Sequence, residues 1–415
     1  MTTNELFTVL APADALALLA RGFSPIARTE TVPLEAGLGR VVAAPIVAAE
    51  TLPAFARSTM DGYAVRSADT HGASEQSPAY LRLTGDVPTG VVPHVQVGER
   101  HAVRIHTGSM MPPGADAVVM VEDTNLHGHE VEVLAAAAPG ENVLIVGEDL
   151  REGDIAINAG RRLRAADLGG LAALGVTSLS VVAQPRIAIL STGDEVVSAG
   201  ATPGPAQVRD VNAATIAATV IRAGGIPVHC GIAPDRVDDL TLEARGGLAK
   251  ADALVLSAGS SVSARDLTAG VVDALGAPGV LAHGIAIKPG KPTVLAVCDG
   301  KPVIGLPGNP ASALVVAWRI VRPLVRRLGG EPIGDVDPDE GSFSATLATP
   351  VPSRPGREDY VPCTLARDDA GELLAAPIFG ASNLIFTLVR SDALIVVPLD
   401  RSGLSAGERV RVVVP

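Results

Sequence analysis

The sequence predicts a multi-domain α/β protein with additional all-β parts, and three observations lead to that class. Between Arg186 and Leu328 strand-like runs alternate with helix-like ones, the pattern of a parallel or mostly parallel sheet covered by helices. Residues 79 to 134 carry strand and turn signals only, with a turn about every 10 residues, which suggests a small β module. Beyond Gly329 the helical pattern stops, and residues 340 to 414 read as five or six short strands, a barrel or sandwich. At 415 residues the chain exceeds what one core fills.

In chain order, Ala15, Leu16, Leu18 and Leu19 recur at helical spacing and predict an amphipathic helix over 11–21, opening near Pro12. Residues 40–47 alternate enough to predict a strand. A polar-tipped loop, Leu52 to Asp61, then runs into a strand at Gly62. Within the β module the turns fall at Gly85-Asp86, Gly90, Gly98-Glu99, Pro112-Pro113-Gly114 and Gly128. After Gly147-Glu148-Asp149, residues 165–174 predict a helix closed by Gly175. The alternating region predicts strands over 186–190, 226–232 and 253–256, with helices over 213–223, 237–249 and 267–275. It ends in an apolar run, 295–306, that reads as a buried strand. The Gly305-Leu306-Pro307-Gly308-Asn309-Pro310 turn then leads into a helix over 311–328. Two prolines fix φ there and two glycines relax it. A strand opening through such a loop onto a helix N-terminus leaves N–H groups free to hold an anion.

Composition narrows the function. Aromatic residues are only 2% of the chain, so Ala, Val, Leu and Ile must fill the cores. A net charge of −12 argues against a nucleic-acid surface, which shows a basic stripe. No apolar run of about 18 residues appears, so no membrane span is expected. The N-terminus lacks the basic patch and apolar stretch of a signal peptide, and the cytoplasm is the expected location. Cys230, Cys298 and Cys363 are widely spaced and odd in number, and read as reduced, buried thiols.

Four stretches carry candidate chemistry. Ile187 to Glu195 delivers Asp194 and Glu195 at a strand's C-terminal end, where open α/β sheets bind ligands, or else simply a solvated turn. Ser257 to Asp266 offers Gly259 and several hydroxyls, Ser261 among them, for a phosphate, while Asp266 also suits a helix N-cap. Lys288-Pro289-Gly290-Lys291-Pro292 holds two lysines three apart in a stiff loop, able to face one anion or to decorate a surface. Ile105 to Val119, followed by Glu122-Asp123, is a strand, a shaped loop and a strand, and is also readable as a plain β-module loop. His127-Gly128-His129 reads as a hairpin tip rather than a metal pair, and Tyr63 and Trp318 are open to a packing role. Nucleotide P-loop, zinc-helix and Gly-x-Ser-x-Gly patterns are absent.

Taken together, the motifs resemble those of the molybdopterin molybdenumtransferase family, which includes MoeA and the E domain of gephyrin. The resemblance rests on seven motifs in fixed order along nearly the whole chain. They are Ser-Thr-Met-Asp-Gly-Tyr-Ala (58–64), Thr-Gly-x4-Pro-Gly-Ala-Asp-Ala-Val-Val (107–119), Gly-Glu-Asp (147–149), Ser-Thr-Gly-Asp-Glu (191–195), Gly-Ser-Ser-x3-Arg-Asp (259–266), Ile-Lys-Pro-Gly-Lys-Pro (287–292) and Gly-Leu-Pro-Gly-Asn-Pro (305–310). It implies an αβα molybdopterin-binding-like domain, β-rich N-terminal modules and a C-terminal β-barrel or sandwich. The implied boundaries are a helix over 1–28 packing on the αβα domain, a linking domain of 29–47 and 154–185, and a β-rich domain over 48–153. The αβα domain would span 186–334 and the C-terminal β domain 335–415.

The activity implied is insertion of molybdenum from molybdate into adenylylated molybdopterin, with Mg²⁺ and release of AMP. An elongated homodimer would complete each cleft, and the adenylylating enzyme and molybdoenzyme chaperones are implied partners. Carried over by motif, Asp61, Thr107, Glu195, Asp235, Asp266, Lys288, Lys291 and Arg357 form the implied catalytic set. Asp149, Asp194, Gly259, Ser261, Pro307, Gly308, Asn309, Pro310 and Ser382 would bind substrate, and Glu122 is carried over with them. Asp235, Asp266 and Glu195 would face the metal, and Asp61 and Thr107 would arrive from the partner subunit. Leu144 stands where the family often has Arg, and Ser263 and Ala258 where it has glycine. Alternatives are a tungstate-specific or weakened paralogue and a non-catalytic pterin-binding scaffold.

The electrostatics agree with a polyanionic substrate. A like-charge pair at 4 Å costs roughly 4 kcal/mol at an effective dielectric near 20. Lys288, Lys291 and Arg357 would offset part of that repulsion. Carboxylates around such an anion are reasonable if they hold Mg²⁺.

Overall fold

The computed structural model describes residues 9–258, 262–332 and 341–415, with the side chains of 262–267 outside the description. The chain forms two compact units: Met1–Ala43, Gly160–Arg164 and Ser178–Pro415 in one, Ala44–Ala159 and Ala165–Thr177 in the other. Among the described residues, no helix is long and apolar enough to cross a membrane.

Helix α1, Pro12–Ala20, starts at a proline, as expected, and buries Ala15 and Leu19 on its apolar stripe. It belongs to the first unit, where Leu10 bridges Ile285 in parallel. The strand expected over 40–47 is mostly absent. Only Ile46–Val47 is a strand, while Val41 and Val42 make isolated bridges. Pro45 lacks an N–H and restricts Ala44, so the alternation cannot run on as one ladder.

The second unit is built on a six-stranded sheet of β1 (Gly62–Val65), β2 (Ala79–Val87), β3 (His101–Ile105), β4 (Ala117–Met120), β5 (Thr124–His127) and β6 (Glu130–Val133), in the order β4-β1-β3-β2-β6-β5. Tyr63 is buried in its core and His127-Gly128-His129 forms a hairpin tip, Gly128 having φ 65°. A Cβ on Gly62 would stand 2.0 Å from the Val119 carbonyl, so only glycine permits the close β1–β4 approach. Helix α2, Ala165–Ala173, matches its expectation to one residue.

The first unit carries a second six-stranded sheet. Its strands and helices are β7 (Arg186–Thr192), α3 (Asn212–Arg222), β8 (Ile226–Ala233), α4 (Val237–Lys250), β9 (Ala253–Ala258), α5 (Val262–Leu275) and β10 (Pro278–His283), with β11 (Ile287–Lys288) lying outside this sheet. Next come β12 (Val294–Cys298), β13 (Lys301–Pro307), α6 (Pro310–Val316), a π segment (Ala317–Val321) and α7 (Arg322–Leu328). The order is β8-β7-β9-β13-β12-β10, with the first four strands parallel and β12 and β10 added antiparallel. Alternation along β7 explains the layers. Ile187 and Ile189 join a core with α1, α3 and α7, whereas Ala188 and Leu190 join one with α4 and α5.

Two expectations here need correction. The apolar run over 295–306 is two strands, a hairpin turning at Asp299-Gly300 with both φ positive (51° and 79°). Asp-Gly between apolar runs is a two-residue hairpin signal. The 311–328 helix is interrupted by the π segment just before Pro323. Pro323 cannot donate to the Arg319 carbonyl and its ring excludes it, so the ladder shifts register there.

The C-terminal strands are β14 (Ser342–Leu347), β15 (Glu358–Arg367), β16 (Leu373–Pro377), β17 (Ala393–Val397) and β18 (Arg409–Val413). They run β15-β16-β14-β18-β17 and close through β15–β17, a five-stranded barrel. One short helix, α8 (Ile385–Val389), breaks the expectation that helices stop at Gly329. β11 pairs in parallel with the start of β15, joining the barrel to the loop before β12.

Candidate active site

Parallel register brings the ends of β7, β8, β9 and β13 to one edge. Thr192 is opposite Ala233, Ser191 opposite Ser257, and Ala258 opposite Pro307. The loops leaving that edge carry Asp194 and Glu195, Asp235, and Gly308 to Pro310. Two of the carboxylates are held across the neighbouring ends of β7 and β8. The Thr192 hydroxyl donates to Asp235 Oδ1 at 2.6 Å, and the Asp235 N–H donates to Asp194 Oδ1 at 3.3 Å. Gly193 has φ 147°, and a Cβ there would stand 2.9 Å from Glu195 Oε2, so the Glu195 carboxylate folds back over the glycine. Asn212, at the start of α3, ties two of these ends together. Its Nδ2 donates to Ser257 Oγ at 2.9 Å and to the Gly308 carbonyl at 2.8 Å.

Beside the β13 end lies a cleft of about 690 Å³. Lys288, Lys291, Pro307, Asn309, Arg357 and Ser382 all line it, together with Asp359, Tyr360 and Phe379. Gly290 has φ 123°, and a Cβ there would stand 2.4 Å from Val316 Cγ2. Only glycine lets the lysine loop seat on α6. The Asn309 amide donates to Ser382 Oγ at 3.2 Å, and the Ala311 N–H to the Ser382 carbonyl at 3.0 Å. The helix N-terminus is therefore less open to an anion than the loop pattern suggests. Pro310 has no N–H, and Ala311 already has an acceptor. Positive charge in the cleft comes from side chains instead.

Arg357, in the bend just before β15, and Asp359, the second residue of that strand, are close enough to pair. Arg357 Nε donates to Asp359 Oδ1 at 2.7 Å and its NH2 nitrogen to Oδ2 at 3.2 Å. Lys288 is the cross-strand partner of Asp359, with its Nζ 3.8 Å from Oδ2. Below them Arg319 pairs with Glu358 at 3.3 Å, and the Tyr360 hydroxyl donates to Glu358 at 2.6 Å. Burial first, then the neighbouring Glu358 charge, pushes the Tyr360 hydroxyl far above its ordinary range, so it stays protonated. Tyr360 also packs edge-on to Trp318 at 5.8 Å, which gives Trp318 a packing role.

In the second unit, the Thr107 N–H donates to Asp61 Oδ1 at 2.9 Å. His106 Nδ1 is 3.9 Å from Asp61 Oδ1 and its Nε2 is 3.1 Å from Asp86 Oδ1. The Asp149 N–H donates to the Leu52 carbonyl at 3.1 Å, and exposed Glu122 sits in a short turn before β5. Gly259 and Ser261 lie outside the described residues, and of Asp266 and Ser263 only the backbone, in α5, is described. Among the described residues no three His, Cys, Asp or Glu side chains converge as a metal site. Oxygen donors such as Asp194 and Asp235 nevertheless suit Mg²⁺, which takes one or two carboxylates plus water and phosphate oxygens.

Sequence reasoning missed Asn212, Asp359, His106 and Asp86. Asp359 was detectable, because it stands only two positions from Arg357, near enough in the chain to suggest a local charge pair. Asn212, His106 and Asp86 depend on packing that no local pattern encodes. Cys298 and Cys363 are buried and free, and burial pushes their thiols up to about 11 and about 12. Cys230 is only half-buried.

Comparison with known proteins agrees with this layout. Family models match in chain order: the MoeA N-terminal region (domain I and II) over residues 10–175, a probable molybdopterin binding domain over 188–327, and the MoeA C-terminal region (domain IV) over 344–414. A molybdopterin molybdenumtransferase of a Nostoc species is 34% identical, covering 92% of this chain and 88% of that protein. Molybdopterin molybdenumtransferase 2 of Mycobacterium tuberculosis is 33% identical, covering 93% and 95%. The crystal structure of the molybdopterin biosynthesis MoeA protein from Pyrococcus horikoshii superposes with a TM-score of 0.81 at 28% identity, covering 98% and 99%. With its segments matched in order and full-length relatives above 30% identity, the chain belongs to the MoeA family of molybdopterin molybdenumtransferases.

Proposed function

We propose that this protein takes molybdenum from molybdate, inserts it into adenylylated molybdopterin and releases AMP, the last step of molybdenum cofactor biosynthesis. The observation that carries this reading is the cleft in which Lys288, Lys291 and Arg357 converge beside the β13 turn, in a chain of net charge −12. Such local positive charge in an acidic protein favours a polyanion, here a phosphoanhydride with molybdate.

In this reading the three cations hold the phosphate and molybdate oxyanions, and Asn309 and Ser382 orient them. Asp194, Asp235, Glu195 and Asp266 lie on loops or a helix leaving the sheet edge and would hold Mg²⁺. That ion, when bound, supplies Lewis-acid polarisation of the phosphoanhydride. Asp61 and Thr107 would reach the cleft of a second copy in a homodimer. The adenylylating enzyme would supply the substrate in the cytoplasm, and chaperones of molybdoenzymes would receive the product.

The test mixes purified protein with adenylylated molybdopterin, Mg²⁺ and either molybdate or tungstate, and measures AMP. Molybdate-dependent AMP release is expected. AMP with tungstate alone would reassign the oxyanion, and none with either would favour a pterin-binding scaffold.

A further inference from the structure

We infer that Asp359 is a positioning residue of the cleft: it fixes Arg357 and Lys288 as a two-point oxyanion clamp and tempers the clamp's charge. This rests on the polyanion reading above. Asp359 is 1% exposed, although it lines the cleft beside exposed cations. A buried carboxylate persists when it is paired and hydrogen-bonded. Here the partners are the Arg357 fork, at 2.7 and 3.2 Å, and the Lys288 ammonium at 3.8 Å. They come from different segments of the chain. Lys288 belongs to the two-residue strand before the lysine loop, Asp359 to the start of the barrel's longest strand, and Arg357 to the bend just before that strand. Asp359 is thus the common anchor at the joint between αβα layer and barrel.

The anchor has two effects that pull apart. A bidentate contact fixes the plane of the guanidinium, so the NH groups not turned to Asp359 keep one direction. At the same time the carboxylate cancels one of the three positive charges that Lys288, Lys291 and Arg357 bring. Removing it should leave an anion more strongly attracted but less well oriented. Ground-state binding and turnover should therefore respond in opposite directions, which a purely structural contact would not produce.

The experiment compares wild type, D359N, R357Q, R357K and the D359N/R357Q double variant. It measures kcat and KM for AMP release, calorimetric binding of inorganic pyrophosphate, and thermal stability. In D359N, kcat should fall on the order of tenfold or more through lost orientation. Its pyrophosphate binding should stay within about threefold of wild type or tighten, as one like charge leaves. R357K keeps the charge but loses the fork, and should show the same split even if D359N folds poorly. The double variant should lose less kcat than the product of the two single losses, since part of what Asp359 does passes through Arg357. Wild-type kcat in D359N or R357K, additive losses in the double variant, or a parallel fall of kcat, binding and Tm would overturn the inference. A wild type that releases no AMP would instead overturn the functional reading. Pyrophosphate still separates the two, because D359N should keep its binding and R357Q should lose it.

Discussion

Asp252 shows how single residues hold this fold. Its carboxylate takes both Arg28 terminal nitrogens, at 2.9 and 2.8 Å, and the Arg186 N–H at 2.8 Å, which fixes the start of β7. Burial alone would raise its pKa, but the Arg28 hydrogen bond and the Arg186 N–H outweigh that and leave it lowered. A lowered carboxylate contributes stability above its unfolded value and loses it as pH falls through the folded one. Arg28 is more than half exposed, so the contribution is screened. D252N should cost about 1 kcal/mol in urea unfolding at pH 7. The gap from wild type should close below about pH 4. A gap independent of pH would show that the charge is irrelevant there. Charged partners of this kind were not legible in the sequence, since 224 positions separate Arg28 from Asp252. Lys288, Lys291 and Asn309, which line the cleft, were legible because motif order carried them, and Arg357 because the wider resemblance did, whereas Asp359 carried no such signal.

At the scale of elements, alternation and punctuation were read well where one principle acted alone. Strands β7, β8 and β9 and helices α1 to α4 lie within a few residues of expectation, because apolar period and flanking Gly or Pro agree. The misreadings came where a local signal competed with a longer pattern. Asp299-Gly300 turned one apolar run into a hairpin, Pro45 cut a strand, and Pro323 forced the π segment. The lysine loop gives the sharpest element-level prediction. Val316 is fully buried and cannot retreat from a new methyl group 2.4 Å away. G290A should destabilise the protein by about 2–3 kcal/mol in urea unfolding, through positive φ and overpacking. It should also weaken pyrophosphate binding by displacing Lys288 and Lys291. Wild-type stability in G290A would mean that the loop is not pinned by α6.

For the molecule as a whole, the first unit holds αβα layers and barrel on one continuous core. Tyr360, Leu394, Val396 and Val413 of the barrel pack in the same cluster as Ile187, Ile304 and Trp318. That shared core places β15 beside the lysine loop, so the cleft's cations come from two parts of the chain that must fold together. The net charge of −12 repels anions at long range, and the cations gathered at this joint oppose that field locally. The overall architecture was legible from motif order and alternation. The joint was not, because a two-residue strand such as Ile287–Lys288 leaves no periodic trace.

In the proposed reading, Lys288, Lys291 and Arg357 hold the polyanion during AMP release. The most direct test is single-turnover AMP release from adenylylated molybdopterin by a Lys288→Gln/Lys291→Gln variant beside wild type. Release should fall roughly hundredfold, as expected when two groups opposing developing negative charge are lost. The exposed lysines should leave the thermal midpoint nearly unchanged. AMP release at the wild-type rate by a folded variant would show that the two lysines do not hold the polyanion.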